Sequence, residues 1–505
     1  MKKIVRRLVA VIPAAVLQIL WVALLMRWLA PYAAVLSVAL TFCAFLYVLY
    51  IISSHDESTY KTLWLLIILG LPIAGTVLYL LVGNKKTARP LKARLVRVQA
   101  AMQQEIPVGS VSQEELARSD VRTAQTLGYV QRMTGYPILP CEDAVYYPLG
   151  ELLWKDMVEA LETAEHFIFA EYFIVEDGLM WDTMVEIMAR KAAQGVDVRV
   201  MYDDFGSIST YSKENVRRLR RKGIQCVAFN PVKRIKGTIN YRDHRKMLIV
   251  DGKTAFSGGI NLADEYINHV EKFGHWKDIG FRITGAPVHN YTCMFAEFWN
   301  AFSKTEISVE ALRAATATEP VRKANGYVLS YYDSPVRTED VSNTLYAELL
   351  SQATRYAWFY TPYLMLGDTL MDAFVRAARR GVDVRIIVPG VPDKKIVYRM
   401  SRSYYAALLE AGVKIYEYTP GFVHAKGCVV DDCIGTIGTV NLDYRSLFLH
   451  FENNSLFYKV PLLADLKADF LATQEQCRER TMENIGKSFF KWVLDGVLRI
   501  FAPLC

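Results

Sequence analysis

The chain lacks the cysteine patterns that bind metals or cross-link small secreted domains. Its eight cysteines include no Cys-x-x-Cys pair, and no cysteine–histidine cluster has the spacing of a zinc site. We therefore expect buried free thiols in a reducing compartment. Cys428 and Cys433 flank a turn and could face each other, but two separately packed thiols are the simpler interpretation.

The chain also lacks a large excess of one charge and a carboxylate cluster suited to two metal ions. Lys and Arg outnumber Asp and Glu by 59 to 52, which gives a net charge of +7 over 505 residues. This imbalance does not require nucleic acid and is equally consistent with anionic lipid or phosphate. With 52% hydrophobic and 22% charged residues, the chain is not disordered and is long enough for two or three domains.

Long apolar runs are abundant near the N-terminus. Three of them span Leu8 to Met26, Ala33 to Ile52 and Leu63 to Val82, each near the ~20 residues that cross a bilayer. Basic residues precede the first run and follow the third, so an even number of crossings is expected, with the rest of the chain in the cytoplasm. The third run or the first would then be interfacial. We expect transmembrane or interfacial helices in 1–83 and a basic juxtamembrane connector in 84–127.

The rest of the chain contains an internal repeat. Residues 164–204 and 353–390 both read as strand, helix and strand, and both contain Gly-Val-Asp-Val-Arg, beginning at Gly195 and Gly381. Strands that alternate with helices favour an α/β fold.

Domain boundaries follow from this repeat. We expect two α/β domains, at 128–302 and 326–484, joined by a linker at 303–325. A basic amphipathic helix at 485–505 would either lie on a membrane surface or pack on the catalytic core.

Each half carries one spaced motif: His, one residue, Lys, four residues, Asp, six residues, Gly, two residues, Asn. The two copies are His244, Lys246, Asp251, Gly258 and Asn261, and His424, Lys426, Asp431, Gly438 and Asn441. A single His-x-Lys is weak evidence, but the whole motif at equivalent places in a repeat is a specific signal. Residues two apart in a strand face the same side, so each His and Lys should project together.

If the halves pack face to face, two imidazoles, two ammonium groups and two amides meet. This set suits a phosphodiester, because lysines and amides can bind the non-bridging oxygens. One neutral histidine can attack phosphorus while the other protonates the leaving oxygen. No metal and no cofactor is needed, since the lysines already neutralise charge.

Carboxylates near each motif have two expected roles. A nucleophilic imidazole needs its second nitrogen fixed by an acceptor, and Asp278 and Glu452 are the candidates. Asp251 and Asp431 complete the motifs that carry the catalytic residues, but they lie at the far end of the strand. We expect them to form turns or ion pairs rather than to take part in chemistry.

These residues resemble the phospholipase D superfamily, whose hallmark is a duplicated HxKxxxxD motif. The resemblance covers about residues 128–480. The N-terminal apolar region, "NYRDHRKMLIVDG" and "FVHAKGCVVDD" are similar to bacterial cardiolipin synthases. The resemblance implies an α/β fold of two α/β/α halves with pseudo-twofold symmetry that share one active site. It places the chain in the bacterial cytoplasmic (inner) membrane as a multi-pass protein.

The resemblance also implies a reaction and roles for site residues. A phosphatidyl group would pass from one phosphatidylglycerol to another through a phosphatidyl-histidine, with release of glycerol. His244 would be the nucleophile and His424 the general acid. The family usually has Ser or Thr after the motif glycine; Thr439 keeps it, but Gly259 replaces it, so one hydroxyl contact to phosphate is lost there and a backbone N–H could substitute for it.

Several alternatives share this site. A phospholipase D-type hydrolase or a phosphatidyltransferase using another alcohol would need the same residues. A nuclease is disfavoured by the apolar N-terminus and the lack of a basic stripe, so we expect no nucleic acid partner. A non-catalytic scaffold is disfavoured because both motifs are intact. The expected partners are phosphatidylglycerol and anionic membrane lipid, and self-association into a homo-oligomer stays open.

Overall fold

The computed structural model describes residues 16–23, 30–54, 56–83, 89–105, 111–231, 240–308, 312, 324–337, 339–486 and 488–504. Much of the predicted first apolar run and of the predicted linker lies outside the described residues. Two parts of the predicted basic connector, 84–88 and 106–110, lie outside them as well.

The first half contains a seven-stranded mixed sheet. Its strands lie in the order Ala144–Tyr147, Gly280–Thr284, Thr254–Gly258, Met247–Val250, Phe167–Tyr172, Asp197–Asp203 and Gln225–Phe229. The last three strands are parallel to one another, and the other neighbours are antiparallel. The helices of this half are Gly150–Glu162, Leu179–Ala193, Lys213–Arg221 and Val288–Phe302.

The second half repeats this strand order. The equivalent strands are Tyr327–Asp333, His450–Tyr458, Ile434–Gly438, Gly427–Val430, Tyr356–Tyr360, Asp383–Pro389 and Lys414–Tyr418, with Leu139–Pro140 and Cys477–Arg480 at the edges. The helices are Val341–Gln352, Asp368–Arg379, Lys395–Ser403, Tyr405–Glu410, Tyr444–Phe448 and Leu462–Gln474. The fold is therefore mixed α/β, and its topology is duplicated as the sequence repeat predicted.

Helix packing follows the apolar periodicity of each segment. Helices Gly150–Glu162 and Leu179–Ala193 bury their apolar side chains on one face of the first sheet, with Trp181 and Met188 among them. Helix Val288–Phe302 is buried on nearly all sides, because it lies between the first sheet and the second. Its Phe298 contacts Phe451 of the second half, at 5.1 Å between ring centroids. One continuous core thus joins the two halves.

Short strands cross between the halves immediately before each His-x-Lys. Arg242–Asp243 pairs in parallel with His450–Phe451, and Gly421–Val423 pairs in parallel with His275–Lys277. The prediction that an unbroken strand runs through each motif is wrong. Residues 244–246 and 424–426 lie between two strands. The strand before each of them pairs with the other half, and the strand after each of them belongs to the sheet of its own half.

The N-terminal region is helical but differs from the prediction. Its helices are Ala30–Ile52, Ser58–Gly70, Pro72–Leu78 and Arg89–Glu105, with a π-helical turn at Tyr79–Gly83. The third apolar run is interrupted at Leu71 and Pro72, since proline cannot continue the preceding helix.

Within the described part of the chain, no helix is both long enough and apolar enough to cross a membrane. The prediction of transmembrane helices, and of a multi-pass protein of the bacterial inner membrane with its catalytic domain in the cytoplasm, is therefore wrong.

The connector and the C-terminus also form helices. Gln113–Ala117 and Val121–Thr134 precede the first sheet, and Phe489–Phe501 follows the second. The C-terminal helix packs on the second half, where Arg499 Nε donates to Ser403 Oγ at 3.3 Å. Of the two alternatives for this segment, the structure thus has the helix in contact with the core.

Candidate active site

Each motif histidine is hydrogen-bonded to a carboxylate from the other half. His244 Nδ1 lies 2.8 and 2.9 Å from the two carboxylate oxygens of Glu452. His424 Nδ1 lies 2.7 Å from Asp278 Oδ2. The short strands that cross between the halves bring each histidine to the carboxylate of the other half. In the first motif, the backbone N–H of His244 donates at 2.9 Å to the carbonyl of Phe451, the residue before Glu452. With Nδ1 as donor, Nε2 carries the lone pair, and no described residue hydrogen-bonds it.

Burial keeps both imidazoles neutral while leaving them a small opening. The two residues are 8% and 7% exposed, so a small part of each stays accessible. Burial, together with the Lys246 ammonium, lowers the pKa of His244 well below its ordinary range. Burial and the Lys426 ammonium lower the pKa of His424 to about 4. A neutral ring with a free Nε2 can act as a nucleophile or as a base.

The two lysines are buried beside the histidines that precede them. Lys246 Nζ donates to His244 O at 2.7 Å, and Lys426 Nζ donates to His424 O. Burial lowers the pKa of Lys246 to about 8 and that of Lys426 to about 7. Each ammonium has three N–H donors, so two remain for an anionic ligand. A bound phosphate would stabilise the charged lysines and be stabilised by them.

A buried network of ion pairs around Arg245 holds the first motif in place. Arg245, between His244 and Lys246 in sequence, is fully buried and ion-pairs with Glu171. Its Nε also donates to Asp243 Oδ1 at 3.0 Å, and its guanidinium lies over the Phe298 ring. These contacts hold the residue on the opposite side of the backbone, which orients His244 and Lys246 together.

The motif asparagines are partly engaged within the protein. Asn261 Oδ1 accepts from Ile174 N at 3.1 Å, and its Nδ2 donates to Tyr266 Oη at 2.7 Å. Asn441 Nδ2 donates to Asp443 Oδ2 at 3.2 Å, and its Oδ1 has no partner among the described residues. Among the described residues, nothing accepts from the second N–H of either amide, so one N–H of each can serve a phosphate oxygen.

Thr439 and Gly259, at equivalent positions, contact the carboxylates. Thr439 Oγ1 donates to Glu452 Oε2 at 2.5 Å. The Gly259 N–H donates to Ile279 O at 3.0 Å, so this backbone N–H is already engaged within the protein. A Cβ on Gly259 would lie 2.0 Å from Asp278 Oδ1. Glycine stands here because the carboxylate occupies the space of a side chain.

Asp251 and Asp431 lie at the far end of each motif strand. Asp251 accepts from the backbone N–H groups of Glu165, His166 and Phe167 at 2.7–2.8 Å. Asp431 accepts from three successive backbone N–H groups in the second half, from residues 354 to 356, at 2.7–2.9 Å. Each aspartate thus binds the start of the neighbouring strand of its own sheet, as a structural anchor would.

Two residues near Glu452 were missed at the sequence level. His450 is buried with its ring centroid 5.7 Å from that of His244. Asn453 Oδ1 accepts from Lys246 N at 2.9 Å and so ties the second half to the first motif. The only sequence signal was their position beside Glu452 in "LHFENN".

One cluster among the described residues has metal-binding geometry. Ligand atoms of His244, His450 and Glu452 lie within 4.8 Å of one another. Lys246 and Arg445 place positive charge beside this cluster and oppose a cation there; Arg445 Nε donates to His450 Nε2 at 3.1 Å.

Known proteins are similar to this chain in sequence and in fold. The family description "Cardiolipin synthase, PLD-like domain" matches residues 157–299 and 346–473, and "Phospholipase_D-nuclease N-terminal" matches 39–84. A cardiolipin synthase of Alkalihalophilus pseudofirmus is 31% identical over 93% of each chain. An uncharacterised protein of Streptococcus mutans is 41% identical over 90% of this chain and 99% of its own. The structure of a Haemophilus influenzae phosphatidylserine synthase superposes with a TM-score of 0.56 at 17% identity, covering 75% of this chain and 97% of that one, which shows the shared fold alone.

The duplicated fold and the paired His-x-Lys motifs define a phospholipase D-like protein. Within that class, the chain belongs to the cardiolipin synthase family.

Proposed function

We propose that the protein is a phosphatidyltransferase that makes cardiolipin and glycerol from two phosphatidylglycerol molecules. The proposal places one active site between two halves related by pseudo-twofold symmetry. It rests on the exchange of carboxylates, in which Glu452 of the second half holds His244 and Asp278 of the first half holds His424. Such an exchange requires both imidazoles to lie at the boundary between the halves.

In the first step, His244 Nε2 attacks the phosphorus of one phosphatidylglycerol. The Nε2–P bond forms, and the P–O bond to the headgroup glycerol breaks. His424 takes up a proton on Nε2 when the anionic phosphate binds beside it, because that charge and Asp278 stabilise the imidazolium, and it gives this proton to the departing oxygen. The positive charge on the phosphorylated His244 ring is balanced through Nδ1–H by Glu452.

In the second step, the terminal hydroxyl of another phosphatidylglycerol attacks the same phosphorus. His424 accepts the hydroxyl proton, the new P–O bond forms, and the Nε2–P bond breaks. His244 returns as a neutral ring, and His424 regains the proton that it lost. No atom or charge is left over, so the site is ready for another cycle.

The lysines and amides stabilise the charge that builds on phosphorus. The free N–H groups of Lys246 and Lys426 bind the non-bridging oxygens, and Asn261 and Asn441 add one donor each. Because the lysines are buried, water screens this interaction little. Removing one such donor commonly lowers turnover by about 10²–10³.

Purified full-length protein in micelles containing only phosphatidylglycerol tests the proposal. Cardiolipin and free glycerol should appear in equal amounts without added nucleotide or metal. Phosphatidic acid as the sole lipid product would instead show a hydrolase that uses water as acceptor. Absence of turnover would show a non-catalytic member of the family.

A further inference from the structure

The short strand His275–Lys277, which pairs with the strand before His424, has two different faces. Trp276 faces the second motif, with its ring centroid 5.5 Å from that of His424. Successive side chains of a strand alternate between faces, so Lys277 lies on the side away from the imidazole. Lys277 is nevertheless the residue before Asp278, whose carboxylate binds His424 Nδ1.

The backbone of Lys277 also contacts the second motif. Its carbonyl accepts from the backbone N–H of His424 at 2.7 Å. Two consecutive residues of the first half thus hold this histidine, because Lys277 binds its backbone while Asp278 binds its ring at 2.7 Å. A shift of these two residues would move the imidazole with them.

A buried ion pair joins the Lys277 side chain to the second half. Lys277 is 4% exposed, and its Nζ lies 2.7 and 2.9 Å from the two carboxylate oxygens of Asp469. The ammonium also donates to the carbonyl of Pro148. Asp469 Oδ2 accepts in addition from Tyr146 Oη at 2.7 Å and from Tyr360 Oη at 3.1 Å. Because the two tyrosines belong to different halves, this cluster fixes Lys277 relative to both.

The first motif is anchored in a different way. Phe451, the residue before Glu452, occupies the position equivalent to Lys277, and its carbonyl accepts from the backbone N–H of His244 at 2.9 Å. The Phe451 ring lies in the apolar core, with its centroid 5.1 Å from that of Phe298. The two motifs therefore share the backbone contact, but in the second motif an ion pair takes the place of aromatic packing.

We propose that Lys277 and Asp469 are positioning residues for His424. Their ion pair fixes where Asp278 lies, and thereby the direction in which His424 Nε2 points. The inference rests on the proposed phosphatidyl transfer, in which His424 protonates the departing oxygen. Neither residue is a catalytic group, since both act through Asp278.

Removing the ion pair should slow transfer without weakening substrate binding. Lys277→Met keeps the volume of the side chain and removes its charge, so kcat for cardiolipin formation should fall about 10²-fold with KM unchanged, as for a catalytic group displaced by about 1 Å. Lys277→Arg can bind the same carboxylate with two donors and should stay within about threefold of wild type. Asp469→Asn should resemble Lys277→Met, and it provides a second test if that variant does not fold. The double variant should be no slower than either single variant, because both remove the same interaction.

A donor with a good leaving group separates the positioning of His424 from general disruption of the site. Phosphatidyl-p-nitrophenol releases p-nitrophenolate without protonation, so its burst does not need the general acid. Lys277→Met should keep this burst within about threefold of wild type, although it loses transfer from phosphatidylglycerol. Damage to the whole site would slow both donors.

An ion pair confined to the first half provides the matched control. Arg282 Nη1 lies 2.8 Å from Asp156 Oδ2, and Arg282→Met should leave kcat within about threefold of wild type. Equal slowing of both donors by Lys277→Met, or normal cardiolipin formation by both Lys277→Met and Asp469→Asn, would overturn the inference. Wild-type protein that gives neither p-nitrophenolate nor cardiolipin would instead overturn the proposed function.

Discussion

Replacing Lys426 by methionine should make the protein more stable while abolishing activity. The lysine is 1% exposed, and burial lowers its pKa from 10.5 to about 7. The unfolded chain keeps the ammonium in water, so folding at about pH 7.5 costs about 4 kcal/mol for this group. Methionine has a similar volume and no such cost.

Part of this gain is lost, because Lys426 Nζ donates to His424 O. Leaving that buried carbonyl without a donor costs about 2 kcal/mol. The variant should therefore be more stable by about 2 kcal/mol at about pH 7.5. For a cooperative unit of about 350 residues, this raises Tm by roughly 3 °C.

The pH dependence of the stability difference between Lys426→Met and wild type shows whether the gain comes from the buried ammonium or from better packing of methionine. Between pH 7 and 10.5 the unfolded chain binds more protons at Lys426 than the folded protein does. Wild-type stability therefore rises relative to the variant by about 1.4 kcal/mol per pH unit, and the two should converge near about pH 9.

Scanning calorimetry of full-length protein at several pH values measures the effect. Lys253→Met is the control, since Lys253 is an exposed lysine, and it should shift Tm little and with no pH trend. A Lys426→Met protein that is less stable than wild type at every pH, with no convergence, would refute the reasoning. So would substantial residual transferase activity.

The remaining predictions concern the site directly. His244→Ala and His424→Ala should each abolish cardiolipin formation, with circular dichroism showing a folded protein; near-normal activity of either would contradict the two-histidine scheme. Gly259→Ala should displace the Asp278 carboxylate and lower kcat by about 10², whereas an unchanged kcat would show that the carboxylate is dispensable. Asp251→Ala should lower stability by about 2–4 kcal/mol, measured by thermal unfolding, while the folded fraction keeps its turnover. EDTA should leave the rate of cardiolipin formation unchanged; loss of activity that Zn²⁺ or Mg²⁺ restores would show a metal requirement.

The repeat and the motif residues could be predicted from the sequence because both are local patterns. The two repeated segments predicted to read strand, helix and strand do so: Phe167–Tyr172 and Asp197–Asp203 lie in 164–204, and Tyr356–Tyr360 and Asp383–Pro389 lie in 353–390. The strand order of the first sheet recurs in the second, as the shared Gly-Val-Asp-Val-Arg segments indicated.

The exchange of carboxylates could not be predicted, because it depends on which strands meet in space. Asp278 and Glu452 were recognised as candidates, but nothing in their spacing shows that each binds the histidine of the other half. That follows only from the pairing of Arg242–Asp243 with the strand that begins at His450. The role of Gly259 was missed for the same reason, since its neighbour Asp278 is 19 residues away in sequence.

The prediction of transmembrane helices near the N-terminus failed for a different reason. Hydropathy counts apolar residues but does not register where the helix stops, and Pro72 divides the third run into separate helices. The basic residues on either side of the apolar runs were then used to predict how the helices cross the membrane. Within the described residues, however, no helix is long and apolar enough to cross one.

Trapping the covalent intermediate tests the central claim most directly. Full-length protein mixed with phosphatidylglycerol, quenched in base within one turnover and digested for mass spectrometry should carry a phosphatidyl group on His244, and His424→Ala should carry it when phosphatidyl-p-nitrophenol is the donor. An adduct on His424, on another residue, or on none during active turnover would contradict the account.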